Sequence, residues 1–550
     1  MHYLVCSQNT TIKMEIPFSK KTIFTFLLVV VFYLLIREYI VYSTTVTKPP
    51  EILEEMISIK TGQLDESVYV KPHDKTNTPK HCVDSYDLDP KKPAAASMSK
   101  IVMLGNERKL FELGEKITVR ITLSDGNGKA KSVGGDQVRV WMVEPAKKAN
   151  STGYVIDHGN GTYTGHLKAL WVGNPVIRSA IAITCEGIGV RYHALKVPGK
   201  LKGLVGVFKS QQISEETVCA PSPDFKGEFC NFTAENFGLP WFCARPKNLK
   251  LLCHDWVKVR GIYQFSYTGQ ETAIMRGHKL LKPDIKINVT TKGKVLHVSP
   301  PPVACNRIPN IETWSLRSPV GFFFQGKWLS TYCTSTIEDS VAAYTKCLQN
   351  HRIQIIGDST SRQWLMFLEQ MLHFDRLDMF RQHRPIVTVQ KTHNITMSWF
   401  THGYPFLHPT FSNNKAFSKP PHVYLDKLPR GCNDIIIVSL YLHFNPYNPD
   451  ILKRQTHALV KSVKSLLKRS PNVTIAFKGF HAFRDESLFL DDYWASVYEL
   501  IVKREFATIQ DKVIYLNGWD ITVCSENERY HNSEEIDKEM VHTALSHICR

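Results

Sequence analysis

Ile353-Gln354-Ile355-Ile356-Gly357-Asp358-Ser359-Thr360-Ser361-Arg362-Gln363-Trp364 is the stretch that decides the fold of the second half of this chain. Its first four residues form a compact, mostly apolar run, the composition of a strand buried on both faces of a parallel sheet. After Ser359 the period changes. Trp364, Phe367, Leu368 and Met371 fall at i, i+3, i+4 and i+7, one face of a helix. Gly357-Asp358-Ser359 thus lies where a strand turns into a helix. A serine there stands at the carboxyl end of a parallel strand, where open α/β sheets bind their ligands. It also stands at a helix N-terminus, whose amides and dipole favour an oxyanion. The plainer reading of the same residues is a serine helix cap.

Working outward, Asp434 to Leu440, Val473 to Phe477 and Val513 to Leu516 repeat the compact apolar composition. Leu459, Val463 and Leu466 mark a helix after the start signal Asn448-Pro449, and a last helix opens with the pair Asn532 and Glu535 and turns Ile536, Met540, Leu545 and Ile548 inward. Alternating strands and helices imply a three-layer α/β domain over residues 301–550.

Upstream, the patterning differs. Ile117, Val119, Ile121 and Leu123 alternate with polar residues before an Asp125-Gly126-Asn127-Gly128 turn, Val138, Val140 and Met142 follow, and a Gly-rich turn at 157–165 leads into another strand. Residues 98–210 therefore read as an immunoglobulin-like β-sandwich. Residues 211–300 form a Cys-rich region and linker, with Cys219, Cys230, Cys243 and Cys253 stapling a core too small to stand unaided.

At 550 residues the chain exceeds one core, in keeping with this multidomain division. Near its start, Thr22 to Ile36 is an uncharged apolar run flanked by Lys13, Lys20 and Lys21 and extended by Tyr39-Ile40-Val41-Tyr42. A bilayer core needs about 20 apolar residues, which the extension and a snorkelling Arg37 supply. The reading is a cytosolic tail at 1–21, a signal anchor at 22–42 and a Pro- and charge-rich stem at 43–97, in a single-pass type II protein of the secretory pathway, at the Golgi. A cleaved signal and a secreted product is the rival reading, against which stands the lack of a clean small-x-small site. Of thirteen cysteines Cys6 is cytosolic, leaving twelve on the lumenal side, an even set suited to disulfides; no C-x-x-C pair points to metal. Six Asn-x-Ser/Thr sequons follow the anchor, at Asn150, Asn160, Asn231, Asn288, Asn394 and Asn472. The net charge of +17 favours acidic partners such as anionic lipid or sialylated glycans. Its even spread argues against nucleic acid.

The run Gly357 to Trp364 resembles block I of the SGNH hydrolases in its PC-esterase form. With Gly134-Gly135-Asp136, the Asn160-Gly161-Thr162-Tyr163 turn, the Cys-rich middle and the terminal Ile548-Cys549, the chain resembles the NXPE family, which joins neurexophilin and PC-esterase domains, over roughly residues 100–549. The resemblance implies a Ser359 nucleophile with His531, in Arg529-Tyr530-His531-Asn532, as general base. It places the third, acidic member three residues before the histidine, at Glu528, with Asp520 as fallback. Gly357, Asp358 and Arg362 would serve the oxyanion or substrate. His443, in Ser439-Leu440-Tyr441-Leu442-His443-Phe444-Asn445, would replace a donor that the superfamily takes from Gly-x-Asn, with Tyr441 where glycine is usual. The implied activity is glycan O-acetyl transfer or ester hydrolysis, on sialic acids for instance, with acetyl-CoA as a candidate donor and no resident cofactor. The alternative is an inert neurexophilin-like ligand of a neurexin-like receptor.

Overall fold

The computed structural model describes residues 79–549, apart from 106–108, 197–202, 224, 263–266, 278, 292–302, 377–384, 403–417, 446 and 485–490. The residues read as cytosolic tail and signal anchor, and most of those read as stem, lie outside the described residues. Among those described, no helix is long and apolar enough to cross a membrane.

In the C-terminal domain the core strand is β1 (Arg352–Gly357), followed by α1 (Ser359–Met371). Then come β2 (Asp375–Arg376), β3 (Ile386–Gln390), β4 (Ile395–Thr401), β5 (Ile435–Val438), α2 (Pro449–Arg469) and β6 (Thr474–Lys478). Helix α3 (Tyr493–Glu505), β7 (Val513–Leu516), α4 (Trp519–Cys524) and α5 (Glu534–Ile548) complete it. The sheet order is β2-β3-β4-β1-β5-β6-β7. β4, β1, β5, β6 and β7 run parallel, while β2 and β3 are antiparallel additions at one edge. Alternate residues supply the two faces. Ile356, Val438, Ile475 and Phe477 pack with Leu459, Val463 and Val502, whereas Ile353, Ile355, Ile437 and Ile514 pack with Trp364, Leu368, Met540 and Leu545. From β1 the chain goes to the sheet edge at β2, comes back inward through β3 and β4 on one side of β1 and then crosses to β5 on the other, so the strand order reverses beside β1, where such sheets open a crevice.

The N-terminal part is a two-sheet β-sandwich. One sheet pairs Lys100–Met103, Lys116–Thr122, Thr162–Lys168 and Tyr154–Asp157; the other centres on Val176–Ile183, Gln137–Glu144 and Ala149–Thr152. Ile117, Val119 and Ile121 of the first face Val140, Met142 and Ile177 of the second in one core. The anticipated Gly-rich turn is present, with Gly161 at φ +79° and a Cβ there coming within 2.2 Å of the Lys131 carbonyl oxygen.

Three boundaries move. Residues 79–97, read as stem, pack on the sandwich: Cys82 bonds to Cys185, and Ala94 and Ala96 are buried. The strands Lys279–Leu280 and Ile285–Lys286, read as linker, pair with Val176–Ile183. The hairpin Gly321–Phe324 and Lys327–Ser330, read as the start of the α/β domain, extends the second sandwich sheet from Ala149–Thr152. Pairing across such distances cannot be read from local composition. The Cys-rich region is a five-stranded antiparallel sheet stapled by Cys219–Cys243 and Cys230–Cys253, and its Phe208, Trp241 and Trp256 join the core of the α/β domain. Cys305–Cys333 and Cys347–Cys549 complete five disulfides, so the even set is not wholly paired: Cys432 and Cys524 are buried free thiols.

Candidate active site

Gly357 ends β1 without a left-handed backbone; its role is space. A Cβ there would lie 2.5 Å from Ser361 Oγ and 3.0 Å from the Ser439 carbonyl oxygen, so only glycine lets β1 and the chain after β5 approach this closely. Asp358 caps α1 and is fully buried. Its carboxylate accepts from the Thr360 amide at 3.0 Å, the Thr360 hydroxyl at 2.6 Å and the Leu442 amide at 2.9 Å. Burial alone would push this carboxyl up, but the His443 ring, the Lys478 charge, the His402 ring and the Thr360 hydrogen bond outweigh it and hold it well below the usual carboxylate range. Lys478, at the end of β6, is buried beneath the site, donating to Thr360 Oγ1 at 3.3 Å and lying 5.2 Å over the Trp364 ring.

This capping leaves Ser359 as the first residue of α1, half-buried and open to solvent on one side. Its Oγ lies 2.6 Å from His531 Nε2, a residue 172 positions away in the chain. Burial lowers the His531 pKa, opposed by Asp358 and assisted by Arg362, which keeps the ring neutral and able to take the serine proton. The loop holding His531 is braced from several sides. Asn527 Nδ2 donates to the carbonyls of Ala482 and Arg529 and to Asn532 Oδ1. His481 donates to the Tyr530 carbonyl at 2.9 Å, and Gln363 of α1 donates to the Asn532 carbonyl at 2.9 Å.

The anticipated third members stand elsewhere. Glu528 has an 80% exposed side chain facing Arg484 at 3.6 Å. Asp520 is fully buried and accepts from Ser318 Oγ at 2.6 Å and the Val320 amide at 2.7 Å, clamping the sandwich hairpin onto α4. Burial pushes its carboxyl up to about 6. Among the described residues no carboxylate bonds to His531, so the geometry is a Ser–His pair on a hydrogen-bonded loop. His443 Nδ1 donates to the His402 carbonyl at 3.0 Å, so its neutral ring presents Nε2 as an acceptor and can donate to an oxyanion only as imidazolium. Tyr441 does not project into the site; it is buried with its hydroxyl donating to the His481 carbonyl at 2.8 Å. Asn445 turns away to the Asp491 carbonyl. Arg362 is half-buried on α1, with its guanidinium 5.4 Å over the Trp399 ring. The Ser359 amide, pointing out of the first turn of α1, remains as the backbone donor for an oxyanion. Asn532 does not cap α5 either: its Nδ2 donates inward to Asp537 at 3.0 Å, and Ser533 takes the cap position.

Sequence reading passed over Lys478, His481 and Asn527. A charged residue closing an apolar strand was the signal for Lys478. Of the sequons, Asn160, Asn231, Asn288, Asn394 and Asn472 are exposed, whereas Asn150 is half-buried in a strand paired on both sides. The two His/Cys clusters among the described residues, His81–Cys82–Cys185 and Cys305–Cys333–His547, contain disulfide sulfurs and so have no thiolate to offer a metal. A cavity of about 600 Å³ opens between Trp171, Phe322 and helix α5, but neither Ser359 nor His531 lines it, so volume does not locate the chemistry.

A Ser–His pair at the carboxyl end of a parallel sheet, behind a disulfide-tied β-sandwich, defines a two-module chain with a hydrolase-like site. Residues 328–549 match the family model "NXPE family member 4-like, C-terminal domain", and residues 83–267 match the neurexophilin model. The chain belongs to the NXPE family. Among solved structures it is similar to a family 2 carbohydrate esterase with a carbohydrate-binding domain from Corynascus thermopiles (Myceliophthora fergusii), at 12% identity and a TM-score of 0.22 over 75% of this chain and 99% of that one. An active-site mutant of a family two carbohydrate esterase from Clostridium thermocellum, in complex with celluohexase, is similar at 7% identity and a TM-score of 0.21 over 82% and 97%. Superpositions this loose carry no argument about fold or activity.

Proposed function

We propose that the protein is a serine O-acyl transferase or esterase acting on carbohydrate hydroxyls. The observation that carries this reading is the 2.6 Å contact between Ser359 Oγ and His531 Nε2 at a solvent-reachable helix N-terminus. Nε2 takes the Ser359 proton as Oγ attacks the acyl carbonyl. The oxyanion is met by the Ser359 amide and the nearby Arg362 charge. Collapse releases the donor's leaving group, which takes the proton from His531 and leaves an acyl-serine. A sugar hydroxyl, or water in the hydrolytic case, then gives its proton to Nε2 and attacks, and His531 returns that proton to Ser359. Family membership and the positive charge support an O-acetyl group and an anionic acceptor such as sialic acid. Acetyl-CoA is the proposed donor. The five disulfides support a lumenal or extracellular setting, and the proposed site of action is the Golgi lumen behind an N-terminal anchor.

The match to the neurexophilin model supports, as a second reading, a glycoprotein ligand with an inert α/β half. Two measurements separate the readings. Incubation with p-nitrophenyl acetate should leave an acetyl group on the peptide containing Ser359, and Ser359→Ala should abolish both this adduct and any gain in cell-surface sialic-acid O-acetylation on expression. If the Ser359→Ala protein raises O-acetylation as well as the wild type does, the enzyme reading is wrong.

A further inference from the structure

Glu526, on the loop that carries His531, is gripped by the β-sandwich. Its Oε1 accepts from the Trp141 indole N–H at 2.8 Å and from Arg178 Nη1 at 2.7 Å. Trp141 and Arg178 are direct cross-strand partners on the second sandwich sheet, so they form one rigid fork. Trp141 is 3% exposed, and Arg178 is held further by Asp284. On the loop side, Glu526 has φ +53°, a left-handed conformation that a non-glycine residue holds only when its surroundings impose it. The surroundings are visible. The Glu526 carbonyl accepts from Arg484 at 3.1 Å, its amide donates to the Val523 carbonyl at 3.1 Å, and the sandwich grips its carboxylate. The next residue is Asn527, whose side chain holds Arg529 and Asn532 on either side of the His531 segment.

We infer that Glu526 is a positioning residue: through its contacts with Trp141 and Arg178, the neurexophilin-like sandwich sets the loop that places His531 against Ser359. The sandwich is thereby part of the active-site scaffold, acting on the histidine through the loop rather than by direct contact. The catalytic half of this inference rests on the acyl-transfer reading above; the loop half does not. Reacting groups must be held to within a fraction of an ångström, and a displacement of about 1 Å costs on the order of 10²-fold in rate.

The test uses the full-length chain and two readouts. Amide hydrogen exchange of peptides covering 524–533 reports the loop, and the rate of Ser359 labelling by a fluorophosphonate reports the pair. Glu526→Ala should raise exchange in 524–533 about tenfold or more, with no change in β1 or β5. It should slow the maximal labelling rate by about 10- to 100-fold, with the concentration for half-maximal rate unchanged. Glu526→Gln, which keeps an acceptor for Trp141, should recover part of the rate. Trp141→Phe removes the indole N–H together with the fused second ring while keeping an aromatic side chain on the sheet, and serves if Glu526→Ala fails to fold; added to Glu526→Ala it should cause no further loss of labelling rate, because both act on His531 through one contact. Exchange in 524–533 unchanged within twofold in both single variants overturns the inference. A wild type that never labels while exchange responds as expected overturns the acyl-transfer reading and leaves the loop coupling standing.

Discussion

Replacing Asp358 by Asn should destabilise the α/β domain as well as disable its site. Asp358 is fully buried and its two oxygens accept three hydrogen bonds, from the Thr360 amide and hydroxyl and the Leu442 amide. An amide turns a donor toward at least one of these donors. It also removes the negative charge facing Lys478, which is 1% exposed. Breaking a buried charge pair by removing one partner costs about 3–5 kcal/mol; Asn caps a helix as well as Asp does and can keep the Thr360 bonds, so the loss falls on the Leu442 bond and the missing charge. Urea unfolding of the purified protein would measure the change from the shift in midpoint at constant slope. The Asp358→Asn, Lys478→Met double variant should be more stable than Asp358→Asn alone, because the stranded cation is gone. The pH sign follows from the depressed carboxyl. Its stabilisation is complete above the ordinary carboxylate range and is lost as pH falls through the lower folded value. The gap between wild type and variant should therefore be constant from pH 5 to 8 and close only in strong acid. A loss below about 1 kcal/mol, or strictly additive losses in the double variant, would refute the reasoning.

Glu528→Ala should leave the acylation rate within a fewfold of wild type and stability within about 0.5 kcal/mol, since its side chain is exposed and only faces Arg484; a loss of 10³-fold would restore it as the orienting acid. Arg362→Gln removes a positive charge that helps hold the His531 pKa down, so the acid limb of the pH–rate profile should move to higher pH; an unchanged limb would show that Arg362 does not act on His531. Asp520 has its folded-state pKa raised from 3.8 to about 6, so its protonation favours the folded state. Relative to Asp520→Asn, the wild type should gain up to about 3 kcal/mol, from 6 − 3.8 = 2.2 units, as pH falls from about 6 to below 4, read as the difference in unfolding free energy at each pH.

The sequence determined by itself what depends on neighbours in the chain. Ile353 to Ile356, Ile435 to Val438 and Val513 to Leu516 read as buried strands because both their faces are covered, and the turn at Gly357-Asp358-Ser359 follows from the change of period after it. Asn448 was legible as a cap because its side chain reaches only two residues, to the Asp450 amide. The half-buried strands β3 and β4 were not read, since alternation such as Ile395-Thr396-Met397-Ser398 marks a strand only once its covered face is known. His531 was reached through family resemblance rather than spacing, and Glu528 failed because a three-residue interval does not specify side-chain direction. Asn532, plausible as a cap, spends its side chain on Asp537 and Asn527 instead. Tertiary structure alone decided that Asp520 clamps a hairpin, that the sandwich sheet borrows Gly321–Ser330, and that Glu526 ties that sandwich to the His531 loop. Each of these joins residues far apart in the chain, and such contacts form only when the folded backbone brings their partners within hydrogen-bond reach.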